Sequence, residues 1–251
     1  MRSSDGRFEA ELALLPMLLA DSAGGSAIDI GANIGDYTFL LQRLVGPEQT
    51  YAVEPQAALN RSLERLFPKV NLFRLGLSDS PGEVLLKTPI VKGTPLRSRA
   101  TLERFIEIGE TGATFETVPV ETLDRFCERA KICDLRFVKI DVEGHEHRVI
   151  AGARRVLATW RPILQIEIEQ RHHAGPIGEI FASIESHAYA GYYFHPVAQR
   201  LLPLSQFFVD EHQDIALFGT AGYVNNFLFF ERSAAERKVE AVHRRLQDGR
   251  K

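Results

Sequence analysis

Short apolar runs alternate with amphipathic stretches from residue 26 to about 194, and the spacing of the apolar positions switches repeatedly between strand and helix periods. Strands are predicted at 26–31, 50–54, 70–75, 135–141, 163–168 and 189–194. Helices are predicted between them at 36–45, 56–66, 121–130, 146–158 and 177–187, after an N-terminal helix near 8–22. Alternation of this kind predicts a mainly parallel sheet with helices on both faces. The runs 135–141 and 163–168 are dense in bulky and β-branched residues, the composition of strands covered on both sides. Trp160-Arg161-Pro162 closes the preceding helix, because proline disfavours the helical conformation one residue before it. A last strand is expected within 223–230, followed by a charged, solvated amphipathic helix over 234–248.

One segment breaks the pattern. Over 88–116, Pro89, Gly93, Pro95, Gly109 and Gly112 punctuate the chain, and Lys92, Arg97, Arg99 and Arg104 make its first half basic. It reads as an irregular insertion, either a substrate-side lid or a plain mobile loop. The expected organisation is an N-terminal helical extension (1–25), one main domain (26–232) carrying that insertion, and a C-terminal charged helix (233–251).

With 251 residues, 45% hydrophobic and 25% charged, the chain can bury a sizeable core. A net charge of -3 supplies no electrostatic footprint for nucleic acid, which is set aside as a partner. Cys127 and Cys133 are read as reduced thiols rather than as a disulfide framework or metal ligands. The apolar run 12–20 is interrupted by Pro16, flanked by Glu9, Glu11 and Asp21, and shorter than the ~20 residues of a membrane span. No membrane span is expected, and the cytoplasm is the expected compartment.

Candidate chemistry concentrates at predicted strand ends. The stretch Ala27-Ile28-Asp29-Ile30-Gly31-Ala32-Asn33-Ile34-Gly35-Asp36 runs from a strand through a Gly-x-x-x-Gly turn into a helix. Glycines permit positive φ and close backbone approach there. The Gly-x-Gly-x-x-Gly spacing of dinucleotide sites is missing. Asp29 is read as part of the turn, where a carboxylate would repel phosphate but suit a cationic or amino-acid-bearing ligand. Glu54 ends the next strand about 20 to 25 residues later, the spacing at which a carboxylate takes hydrogen bonds from ribose hydroxyls. A nucleoside bearing a charged amino acid describes S-adenosylmethionine. Asp79, in Gly76-Leu77-Ser78-Asp79, is placed to meet the adenine amine, although Ser78-Asp79-Ser80-Pro81-Gly82 is also a good turn sequence.

A second constellation is Lys139-Ile140-Asp141-Val142-Glu143-Gly144-His145-Glu146. An acid at the end of a central strand, Asp141, lies beside the ligand crevice of an open α/β sheet. Glu143 converges with it only if the chain turns at Gly144. His145 is a candidate general base, since imidazole accepts a proton near neutral pH. The alternative for these acids is capping of the following helix, and that reading is preferred for Glu146. Glu167, near the end of strand 163–168, either contacts substrate or satisfies buried donors. Glu169, His172 and His173 match no closed zinc spacing, and no metal is assigned.

In their order, Asp29-Ile30-Gly31-Ala32-Asn33-Ile34-Gly35, Val53-Glu54-Pro55, Gly76-Leu77-Ser78-Asp79, Val120-Glu121-Thr122-Leu123-Asp124, Lys139–Glu146 and Pro162-Ile163-Leu164-Gln165-Ile166-Glu167 resemble the FkbM-type branch of S-adenosylmethionine-dependent methyltransferases, over roughly 26–230. The resemblance implies a class I methyltransferase, α/β and Rossmann-like, whose seven-stranded, mainly parallel sheet ends in an antiparallel strand. It implies methyl transfer to an oxygen, commonly a hydroxyl of a sugar or glycan or of a natural product. It puts Asp29, Gly31, Asn33 and Gly35 around the methionine part of the cofactor, with Ala32 in the same turn, Glu54 on the ribose, Asp79 near adenine and Asp141 facing the methyl donor. Glu143, His145 and Glu167 join Asp141 as acceptor-side candidates. Competing readings are an NAD(P)-dependent oxidoreductase, since Glu54 serves either ribose, and a non-catalytic nucleotide-binding domain. Arg97 and Arg99, if they face the pocket, would favour an anionic acceptor.

Overall fold

The computed structural model describes residues 10–20 and 24–248. A 3₁₀ turn, Ala10–Leu14, runs into α1 (Leu15–Leu18); the remainder of the expected helix 8–22 is outside the described residues or not helical. Then come β1 (Ser26–Ile30), α2 (Asp36–Leu44), β2 (Thr50–Val53), α3 (Ala57–Leu66) and β3 (Asn71–Phe73). A second, smaller sheet follows, made of β4 (Gly76–Leu77), β5 (Gly82–Val91), β6 (Thr94–Pro95) and β7 (Glu110–Glu121). The chain returns to the main sheet through α4 (Leu123–Arg129), β8 (Leu135–Ile140), α5 (Glu146–Ala151), α6 (Arg154–Thr159) and β9 (Ile163–Glu167). It closes with α7 (Gly178–Glu185), β10 (Tyr189–His195), β11 (Arg200–Pro203), α8 (Val209–His212), β12 (Asn226–Glu231) and α9 (Ala235–Asp248).

Among the described residues the main sheet has the order β11-β10-β12-β9-β8-β1-β2-β3. The run β9-β8-β1-β2-β3 is parallel throughout, and β12 is antiparallel to both its neighbours, as expected of the last strand. The sheet holds eight strands instead of seven, because β10 turns back and pairs with β11. A four-residue strand ending in proline is too short to register as a period-two signal. The topology reverses between β1 and β8, which opens a crevice at their C-terminal ends.

Strand alternation sorts the core into two layers. Ile28, Ile30, Val138, Ile140, Leu164 and Ile166 pack with Phe126, Val149 and Ile180 on one face. Ala27, Phe137, Ile163, Leu228 and Phe230 pack on the other with Tyr37 and Leu41 from α2, Leu15 and Leu18 from α1, and Val239 and Val242 from α9. The C-terminal helix is therefore amphipathic as expected but not wholly solvated, since one stripe completes this second layer.

Three boundaries differ from the sequence reading. Both ends of the expected irregular insertion are ordered strand, since β5 pairs antiparallel with β7 from Gly82↔Val120 to Val91↔Glu110, while 96–109 between them carries a 3₁₀ turn at Arg97–Arg99 and is otherwise irregular. Its second arm carries little strand signal in the sequence, because Val118 and Val120 are the buried positions of β7 while the rest is polar or solvent-facing. The expected strand 70–75 is shorter, with the chain leaving the main sheet after Phe73 for β4. The expected helix 146–158 breaks into α5 and α6 at Gly152. There the backbone lies so close to β4 that an added Cβ would stand 2.1 Å from the Ser78 carbonyl oxygen. Asp124 restarts the helix, its carboxylate accepting from the N–H groups of Arg155 (2.9 Å) and Val156 (2.8 Å).

Gly152→Ala is expected to destabilise the fold by about 1–3 kcal/mol through overpacking. Urea denaturation measures this, and a variant as stable as the parent would contradict the close approach.

Candidate active site

The crevice at the ends of β1, β2 and β8 is a recess enclosing about 600 Å³ of open space, including its mouth. Gly31, Asn33, Glu54, Gln56, Arg97, Ser98, Asp141 and Glu143 form its polar lining. Leu75, Leu77, Leu86, Ala100 and Leu102 supply an apolar wall.

The glycine turn is built by backbone crossings. Gly31 has φ 80° and Asn33 φ 50°, both left-handed. The N–H groups of Gly31 and Ala32 donate to the Val53 carbonyl at 2.9 and 3.1 Å, while the Asp141 N–H donates to the Ile30 carbonyl at 3.0 Å. An added Cβ at Gly31 would stand 1.8 Å from the Asp141 carbonyl oxygen, so only glycine lets β1 exit beneath β8. Ala32 points into a small cluster with Leu63 and Phe67. At Gly35, φ is 96° and a Cβ would stand 2.4 Å from the Phe67 ring. These two residues shape the turn without lining the recess, whereas Gly31 and Asn33 line it.

Glu54 is buried, and its two oxygens accept from the N–H groups of Asn33 (2.9 Å) and Gln56 (2.8 Å). Burial drives its pKa up to about 7 against the pull of those bonds. Asp29 lies within β1 rather than in the turn. It faces α2, where it accepts from the Thr38 hydroxyl at 2.6 Å, and it does not line the recess. Burial pushes its pKa up to about 6, opposed by Thr38 and the Lys139 charge.

Pairing of Ile140 with Ile166 brings Asp141 and Glu167 to adjacent strand ends. Asp141 keeps 31% of its side chain exposed and lines the recess. Its pKa rises to about 7, first through desolvation and then through the neighbouring Glu167 charge. Lys139 partly offsets this from 3.8 Å, while its Nζ donates to Asn226 Oδ1 at 2.7 Å. Glu167 accepts from Asn225 Nδ2 at 2.7 Å.

Glu143 has φ 51°, and Gly144, next to it, has φ 97°; this is the turn that sequence reasoning required. The Glu143 carboxylate stands 3.4 Å from both Arg99 Nη1 and His172 Nε2. Burial raises its pKa well above the usual range despite Arg99.

His145, Asp79 and Glu167 do not line the recess either. His145 is buried and does not line the recess; Nδ1 bonds Glu103 Oε1 at 2.7 Å and Nε2 bonds Ser78 Oγ at 2.9 Å. With both ring nitrogens engaged, it stands apart from any reacting atom in the recess. Asp79 accepts from Arg148 Nη1 at 2.8 Å and lines a separate surface hollow. Of the two arginines weighed, Arg97 lines the recess and Arg99 turns inward between Glu143 and Glu169. Glu169 is bound to Arg171 and to the Tyr223 hydroxyl. Among the described residues no group of three or more His, Cys, Asp or Glu side chains is set to hold a metal ion. Nor is any described helix long and apolar enough to cross a membrane.

Comparison with known proteins names the fold. The Methyltransferase FkbM domain family matches residues 29–202. The chain belongs to the FkbM methyltransferase family. It is 28% identical over 214 residues to the 31-O-demethyl-FK506 methyltransferase FkbM of Streptomyces tacrolimicus, covering 70% of this chain and 81% of that relative. A crystal structure of methyltransferase FkbM from Methylobacillus flagellatus superposes with TM-score 0.50 at 17% identity. That match covers 83% of this chain but 44% of the crystallised one, so the chain spans less than half of its length. A TehB-like SAM-dependent methyltransferase from Corynebacterium glutamicum has TM-score 0.42 at 10% identity, over 85% of this chain and 84% of its own. This FkbM-family protein is thus a methyltransferase with the α/β fold of class I, and its family match begins at Asp29 in β1.

Two outcomes are expected. Gly31→Ala unfolds at a lower temperature than Gly93→Ala, because Gly93 shares a positive φ (75°) but has open space around it. Equal melting temperatures by circular dichroism would refute the crossing. The pH dependence follows from the raised carboxyls. Between the unfolded values of 4.5 and 3.8 and the folded values near 7 and 6, the native state holds more protons at Glu54 and Asp29 than the unfolded chain. Stability therefore falls as pH rises from about 4 to about 7. Urea midpoints across that window should decline, and Glu54→Gln should flatten the slope.

Proposed function

We propose that this FkbM-family enzyme binds S-adenosylmethionine in the β1/β2/β8 recess and methylates a hydroxyl oxygen of a sugar, glycan or natural-product acceptor. One observation carries the reading: Glu54, Asp141 and the Gly31–Asn33 turn line a single recess with an apolar wall beside them. The residues present fit the cofactor's parts. Glu54, with one oxygen on each of two N–H donors, keeps lone pairs for a ribose diol. Leu75, Leu77, Leu86 and Leu102 suit a flat base. The Asp141 carboxylate suits an ammonium or sulfonium charge. Bound S-adenosylmethionine supplies an activated methyl group on a positively charged sulfur.

The protein's own contribution is placement and proton handling. Holding the acceptor hydroxyl in line within the recess converts an encounter into a unimolecular step, the larger share of the acceleration. A hydroxyl must lose its proton as it is methylated. Asp141 is assigned as the group that accepts it, because a carboxyl with pKa about 7 exchanges protons readily at neutral pH and is exposed to the recess. Desolvation first, and then the Glu167 charge beside it, hold Asp141 in that range. The oxygen acceptor is supported by the Streptomyces relative, whose name specifies a 31-O-demethyl substrate.

Isothermal titration is expected to show binding of S-adenosylhomocysteine and none of NAD(P); the reverse preference would overturn the cofactor. Transfer of labelled methyl to a panel of sugar and natural-product hydroxyls tests the acceptor class. With any acceptor found, Asp141→Asn should lower kcat by about 10²–10⁴-fold, as loss of a general base does, while S-adenosylhomocysteine still binds. Full turnover in that variant would remove Asp141 from the role.

A further inference from the structure

The 94–104 segment crosses the recess as a strap. It is anchored on the small sheet, where Thr101 and Lys87 exchange backbone hydrogen bonds of 2.8 and 2.9 Å. Along it successive side chains part company. Ala100 and Leu102 face the recess, where they complete the apolar wall opposite Leu75 and Leu77. Arg99, Thr101 and Glu103 face the other way, toward the turn after β8. A 3₁₀ turn at Arg97–Arg99 followed by the irregular 100–103 stretch thus presents one set of side chains to a ligand and another to an anchor.

The anchor row has named partners. The Thr101 hydroxyl donates to the Glu143 carbonyl at 2.6 Å and accepts from the Glu103 N–H at 3.0 Å. Arg99, 5% exposed, pairs with the Glu143 carboxylate at 3.4 Å and with Glu169 at 3.6 Å. Glu103 bonds His145, which reaches through its other nitrogen to Ser78 at the end of β4. At the near end, Gln56 Nε2 donates to the Arg97 carbonyl at 2.9 Å, and the Gln56 N–H donates to Glu54. The left-handed pair Glu143 and Gly144 is what turns both the carbonyl and the carboxylate of residue 143 toward the strap.

We infer that Glu143 and His145 are positioning residues that clasp the 97–103 strap over the recess and thereby set how tightly a nucleoside is retained there. The inference rests on the proposed nucleoside ligand. It assigns the two residues a task other than proton transfer: Glu143 acts through Arg99 and Thr101, and His145 acts through Glu103. The strap in turn presses Ala100 and Leu102 onto the ligand's apolar part.

Titration of S-adenosylhomocysteine into the full-length variants Thr101→Val, Thr101→Ser and His145→Leu, with hydrogen exchange read on the same samples, tests the clasp. Thr101→Val leaves the Glu143 carbonyl without its donor and should weaken binding about tenfold, the scale of one unsatisfied buried acceptor. Thr101→Ser keeps the hydroxyl and should bind like the parent. Added exchange in Thr101→Val and His145→Leu should be confined to 94–104, with β1 and β8 unchanged, a pattern that general destabilisation does not produce. If His145→Leu exchanges throughout β8, Thr101→Val decides alone. Parental affinity and parental exchange in Thr101→Val overturn the clasp. A parent protein that fails to bind S-adenosylhomocysteine overturns both the clasp and the methyl-donor reading, whereas a parent that binds with an unresponsive Thr101→Val overturns the clasp only.

Discussion

The site depends on one backbone crossing, where β1 leaves the sheet beneath the end of β8. Gly31 lies against the Asp141 carbonyl with no room for a side chain, and the Asp141 N–H closes on Ile30. That contact fixes the height at which the first strand turns. Because the turn then hydrogen-bonds to Val53 and Glu54, three strand ends from distant parts of the chain share one rim. A rim defined by backbone hydrogen bonds is stiff, which suits a reaction whose rate rests on placement.

Charge is the second constraint. Asp29, Glu54, Asp141 and Glu143 all have their pKa raised, in each case first by desolvation, although Asp141 stays partly exposed to the recess. The sheet tolerates them through partners specific to each: Thr38 for Asp29, two backbone donors for Glu54, Lys139 near Asp141 and Arg99 for Glu143. Lys139 is itself buried, over the Tyr37 ring and bonded to Asn226, so the cation cannot drift from its place. Of these acids Glu54, Asp141 and Glu143 line the recess, together with Arg97, a lining unlike the backbone N–H cradle that holds a phosphate.

The parallel strands and the acids at their ends are legible because strand-length apolar runs end on them: Glu54 after β2 and Asp141 after β8, both in the recess, and Glu167 at the end of β9, beside it. Sequence gave no account of where a side chain turns once its strand has ended. His145 and Asp79 belong to recognisable motifs, yet their partners Glu103 and Arg148 stand 42 and 69 residues away and draw them out of the recess. Asp29 lies in β1 ahead of the turn, and its carboxylate is spent on Thr38 inside the sheet. The β5–β7 hairpin stayed hidden for a different reason: its pairing is carried by backbone hydrogen bonds, which leave little trace in a mostly polar, exposed strand.

The second core layer brings α1 and α9 together although they lie at opposite ends of the described chain. Val239 and Val242 close over the same surface as Leu15 and Leu18. During synthesis on the ribosome that surface stays open to solvent until α9 has emerged, while the opposite layer, whose strands and helices are all made earlier, is already covered. Contacts of such long sequence separation form slowly, so this face of the nascent sheet is the one a chaperone would meet.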